Sequence, residues 1–235
     1  MKYLFLLLAL GALNILNAQD TTFSVENFNI KFESSKLTVT DNDEKVYQRD
    51  FSDPISFTLD LDSDGVDELL VSDSEEKDGL SYYTLYVFNC TGSFFLTDSI
   101  YSGLKEPYVF DSDEINNIVI VTGSPDFDSL YVPELEVAYS PLICWSFVDT
   151  SLAIVNDQLY DPFIDENNKN IELMDAIYKE KGKDCKITES LKQIIATTYA
   201  NYIYADEKAL AERALVQYYY CEDLKQFKEN IEKLL

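Results

Sequence analysis

Asp60-Leu61-Asp62-Ser63-Asp64-Gly65-Val66-Asp67-Glu68-Leu69-Leu70-Val71 is the stretch on which the fold turns. Carboxylates stand at its positions 1, 3 and 5, and glycine stands at 6. That order describes a tight loop folded around a hard cation, because alternate side chains point inward and glycine permits the sharp turn. Asp60, Asp62 and Asp64 would supply carboxylate oxygens, and Val66 its main-chain carbonyl at position 7. Glu68 at position 9 would complete the cage. Donors that are all oxygen, without His or Cys, favour Ca2+, with Mg2+ second. Carboxylates this close repel one another without a cation, so the empty loop is costly to fold.

The flanks place this loop between strands. Ile55 to Leu61 alternates apolar and polar residues, and Leu69 to Ser72 is a short apolar run. An EF-hand needs helices on both sides, a bidentate Glu at position 12 and an apolar residue at 8; here Val71 and Asp67 fill those positions. The loop is therefore expected in a β-hairpin. Further strands are expected at Leu80–Asn89, followed by a turn over Cys90–Ser93, and at Ile118–Val121 and Leu142–Phe147.

The pattern D-x-D-x-D-G-x-x-D/E before an apolar strand resembles the calcium loop of FG-GAP or VCBS-type repeats, as in the integrin alpha-subunit β-propeller. The resemblance covers mainly residues 55–72. It implies Ca2+ held by Asp60, Asp62, Asp64, the Val66 carbonyl and Glu68. A degenerate second copy falls near 109–121, offset by 49 residues. It places Asp111 and Asp113 at positions 3 and 5, Ile115 at 7 and Asn117 at 9, with Val109 at 1 and Glu114 in place of the glycine. Weak metal binding, or none, is expected there. Ile30 to Phe51 forms a further strand pair turning at Asp41–Glu44. Two and a half to three such units fall short of the four or more blades of a closed propeller. A partial or open assembly, or a sandwich, fits the count.

From residue 163 onward the period changes. Leu191, Ile194, Ile195, Thr198, Tyr199, Tyr202 and Ile203 follow the spacing of one buried helical face. Good helix formers follow Asp206, and Leu224, Phe227, Ile231 and Leu234 form another stripe. A shorter helix is expected over Ile171–Lys181, stopped by Gly182. The fold class is thus mainly β with a C-terminal helical region: a partial or propeller-like repeat domain over 19–162, then about three helices over 163–235.

Residues 1–18 read as a secretory signal, with Lys2 before an apolar run that ends at Leu16-Asn17-Ala18. The expected location is secreted or periplasmic, with no membrane insertion after signal removal. Four cysteines in an exported chain suggest two disulfides. Pairing within each region would join Cys90 to Cys144 and Cys185 to Cys221. Asn89-Cys90-Thr91 is an N-glycosylation sequon, meaningful in a eukaryotic source and on a surface loop.

The chain of 235 residues carries 18 Lys+Arg against 43 Asp+Glu, a net charge of −25, and no His. Such a charge repels nucleic-acid backbones and anionic lipid. The lack of His removes imidazole catalysis and His metal ligation. Residues 19–162 hold 6 Lys+Arg and 29 Asp+Glu, whereas 163–235 hold 11 and 14. The acidity thus belongs to the β region. No catalytic constellation or phosphate loop appears, and the chain reads as a non-enzyme. The expected role is a calcium-binding module for a protein or glycan ligand. The alternatives are an acidic inhibitor of a basic protein and, third, a hydrolase of polysaccharide using paired carboxylates.

Overall fold

The computed structural model describes residues 21–135, 137–148 and 151–235, so the expected signal at 1–18 lies outside the described residues. Twelve strands form three four-stranded antiparallel sheets, each connected in chain order. The first contains β1 (Thr21–Val25), β2 (Phe28–Glu33), β3 (Lys36–Asp41) and β4 (Glu44–Asp50). The second contains β5 (Pro54–Leu59), β6 (Glu68–Lys77), β7 (Leu80–Asn89) and β8 (Phe95–Gly103). The third contains β9 (Tyr108–Ser112), β10 (Asn117–Gly123), β11 (Leu142–Val148) and β12 (Ser151–Ile154). Five α-helices follow: α1 (Asp161–Lys181), α2 (Cys185–Ser190), α3 (Lys192–Tyr204), α4 (Lys208–Tyr218) and α5 (Leu224–Glu232). The molecule is therefore mainly β with a helical C-terminal part, and none of the sheets closes on itself.

The contacts divide the described residues into two compact units, one within 21–75 and 85–99, the other within 76–84 and 100–235. This division falls within β6–β8, whereas the change in composition falls near Pro162.

In the first unit, tight turns set the register. Val25 faces Phe28, Glu33 faces Lys36 and Asp41 faces Glu44, leaving two-residue connections. Asn42 and Asp43 both adopt positive φ (47° and 67°), which short polar residues tolerate in hairpin turns. Along β2, buried Phe28, Ile30 and Phe32 alternate with exposed residues. They join Leu37, Val39, Leu69, Val71 and Phe88 in one core. Burying each such side chain contributes about 1.5–3 kcal/mol. β6 differs from β2, because Leu69, Leu70 and Val71 in succession are all fully buried.

In the second unit, the third sheet and the helices share their packing. Val119, Val121, Leu142 and Cys144 pack with Leu159 and with Phe163 of α1. Asn201 of α3 accepts the Leu142 N–H (3.0 Å) and donates to Asn167 of α1 (3.2 Å). Asn167 in turn donates to the Thr198 carbonyl (3.1 Å). α3 is buried at every position from Gln193 to Tyr202, not along one face only. Of its polar members, Gln193 (through Oε1), Thr198 and Asn201 make interior hydrogen bonds, whereas Gln193 Nε2 and Thr197 Oγ1 have no partner among the described residues. α1 begins ten residues before the expected Ile171, with Pro162 in its first turn. Proline has no N–H to lose there and carries a helix-ready φ.

Of the two expected disulfides, one exists. Cys185 and Cys221 are joined, tying α2 to the α4–α5 connection. The expected Cys90–Cys144 bond is corrected: both are free and buried, each in its own apolar core. Burial pushes both thiols up to about 12, so they act as small apolar side chains. Among the described residues, no helix is long and apolar enough to cross a membrane.

Candidate metal centre

The acidic stretch lies between β5 and β6, where Leu59 is paired with Glu68. Its residues hold the loop by side chain-to-backbone hydrogen bonds. Asp62 Oδ1 accepts the Asp64 N–H (3.1 Å), Asp64 Oδ1 the Val66 N–H (2.8 Å) and Asp60 Oδ2 the Gly65 N–H (3.1 Å). These are the local turns that aspartate favours. Gly65 has φ +90°. A Cβ added there would meet no heavy atom within 4 Å. The glycine is thus required for its backbone conformation, not for space.

Glu68 closes the loop from below. It is 1% exposed, and its Oε2 accepts the Leu61 N–H at 2.9 Å. Burial, with smaller contributions from the neighbouring Asp62, Asp64 and Asp60 and against the opposing Leu61 N–H, pushes its carboxyl up to about 7. Two oxygens remain without a partner: Asp60 Oδ1 and Glu68 Oε1, both buried. Four other buried side-chain atoms among the described residues lack partners, but none belongs to a carboxylate. A buried anionic oxygen with no donor is expensive, and a cation removes that cost.

Asp60, Asp62 and Glu68 each bring a carboxylate oxygen to within 4.8 Å of the others, so the trio could hold one metal ion. Asp64 stands outside this trio. Its Oδ2 accepts the hydroxyl of Thr91 at 2.9 Å, from the turn between β7 and β8. Val66 packs its side chain against the first unit's core and gives its N–H to Asp64. Thr91 is the contact that sequence reading missed: it lies 27 residues downstream, in a stretch readable only as a turn and a sequon. In that turn Asn89 donates its side-chain amide to the carbonyls of Thr91 (3.0 Å) and Ser93 (2.8 Å).

The degenerate copy takes a different form. Asp111 lies in β9 and Asn117 in β10, with Ser112 facing Asn117 across a four-residue turn. Glu114 accepts the main-chain N–H groups of Tyr160 (3.0 Å) and Asp161 (3.1 Å) at the start of α1. The second group of metal-type side chains among the described residues is Cys185, Glu189 and Cys221. Its sulfurs are joined as a disulfide and carry no thiolate. Trp145 gives its indole N–H to Thr122 (2.9 Å), consistent with strand packing.

Compared with protein-family models, with curated proteins and with solved structures, the chain matches none.

Proposed function

We propose that this chain is an exported protein that binds Ca2+ in the β5–β6 loop and acts as a non-enzymatic binding or structural module. The observation that carries the reading is that Asp60 and Glu68, which bring carboxylate oxygens together with Asp62, each keep one buried oxygen without a partner, Oδ1 and Oε1. Hard oxygen donors, carboxylates with a main-chain carbonyl, suit Ca2+ better than Mg2+, which dehydrates reluctantly. The three four-stranded meanders are consistent with the blade-like units implied by an FG-GAP or VCBS-type repeat. Bound Ca2+ would stabilise the folded state by mass action.

The test is thermal melting of the mature chain in EGTA and in millimolar Ca2+, with calorimetric titration. A raised melting temperature that vanishes in the Asp60→Asn/Glu68→Gln double variant supports the reading. An unchanged melting temperature, with no heat of binding, overturns it.

A second reading rests on the 29 acidic residues over 19–162, of which the metal trio uses three. The remaining field would draw in a basic protein partner. Binding of such a partner that did not weaken with salt would refute it.

A further inference from the structure

We propose that the Ca2+ held in the β5–β6 loop keeps open coordination positions and that these take the vicinal hydroxyls of a neutral glycan. This rests on the calcium reading above and assigns its ligand. Ca2+ takes six to eight oxygens. Asp60 and Glu68 each offer one free oxygen, because Gly65 and Leu61 N–H groups already occupy the second. With Asp62 the gathered set is three. Adding the Val66 carbonyl makes four. Adding Asp64, whose two oxygens already accept from Val66 and Thr91, makes five. The shell is incomplete on either count.

The open side faces water. Asp62, Ser63, Asp64 and Gly65 are all exposed, whereas Leu61 and Glu68 beneath them are buried. Two adjacent hydroxyls can replace two bound waters without adding charge. Charge decides between ligand classes: residues 19–162 carry a net −23, which opposes an anionic ligand. An apolar contact lies on the neighbouring turn. Thr91 ties the β7–β8 turn to Asp64, and at its end Phe94 packs inward against Phe88 and Phe28. Phe95, the next residue and the first of β8, is 49% exposed. Such a ring offers a flat surface to a sugar.

The mature chain is loaded with Tb3+, a luminescent substitute for Ca2+, and metal-bound waters are counted from decay rates in H2O and D2O. A mannan, or the methyl glycosides of mannose, galactose, glucose and fucose, is then added. The expected result is two or more bound waters at first, about two of which at least one of these sugars displaces. Mannan should be retained on the Ca2+-loaded protein, released by EGTA, and not retained after periodate has cleaved its vicinal diols. Phe95→Ala should weaken retention about tenfold, with Ca2+ affinity unchanged. If Ca2+ binds but no sugar changes the water count, the proposal falls and the calcium reading stands. Retention of polygalacturonate in preference to mannan also overturns it. If neither Ca2+ nor Tb3+ binds, both fall.

Discussion

The β5–β6 loop and the β9–β10 turn join the first two strands of two similar meanders, yet they use their acidic side chains in opposite ways. In the first, Glu68 is buried among three aspartates and keeps an oxygen with no donor. In the second, Glu114 reaches the start of α1 and accepts two main-chain N–H groups. A carboxylate at a helix start has its charge answered by the helix itself. A carboxylate buried beside other carboxylates needs an answer from outside the chain. Local acidity alone therefore does not mark a candidate metal site; the oxygen left without a donor, Glu68 Oε1, is what sets the first connection apart.

The largest expected effect breaks the comparison at its first member. At a Ca2+ concentration of 100 times Kd, binding stabilises by about 2.7 kcal/mol. The Asp60→Asn/Glu68→Gln variant should lose all of that increment in calorimetric melts. Its sign reverses in EGTA. Folded Glu68 titrates near 7, above its ordinary 4.5, so its contribution is present below 4.5 and lost as pH rises through 7. At pH 8 with Ca2+ chelated, Glu68→Gln alone should therefore be more stable than the parent.

Next comes Gly65→Ala, which places a Cβ on a left-handed backbone. A cost of about 1–2 kcal/mol is expected. Because the added methyl group meets nothing within 4 Å, chemical denaturation reads backbone strain alone. Glu114→Ala should cost about 1 kcal/mol by leaving the Tyr160 and Asp161 N–H groups without their acceptor. It should leave the Ca2+ response untouched; a lost response would erase the contrast between the two connections.

The smallest effect concerns a third carboxylate, Asp128, which accepts the Leu104 N–H at 3.2 Å. Burial pushes it up to about 6, with Asp126 adding to the rise. The folded chain therefore holds an extra proton between about pH 4 and 6, and that contribution is lost as pH rises through 6. Measured against Asp128→Asn, the parent should lose about 1 kcal/mol between pH 4 and pH 7, solvent screening included.

Much of this arrangement is legible in the chain, and the limits have physical causes. β7 runs from Leu80 to Asn89 as its β-favouring residues and bounding turns predict. The loop from Asp60 to Glu68 declares itself because its hydrogen bonds are made within a few residues. The hydroxyl of Thr91 was hidden, since a contact 27 residues distant leaves no mark on local spacing. The expected Cys90–Cys144 bond is missing because a buried thiol serves equally as apolar filling, a use that cysteine spacing does not distinguish from a cross-link. The all-round burial of α3 was masked by Gln193 and Asn201, polar residues whose partners lie outside the helix.

The order of the strands has a consequence in time. Within each of the three sheets the strands lie in chain order, so none of the three waits for a distant segment to close. Topologies rich in local pairings fold fast for their size. A chain emerging lengthwise from a narrow exit, amino end first, could complete the β1–β4 sheet before β9 was free.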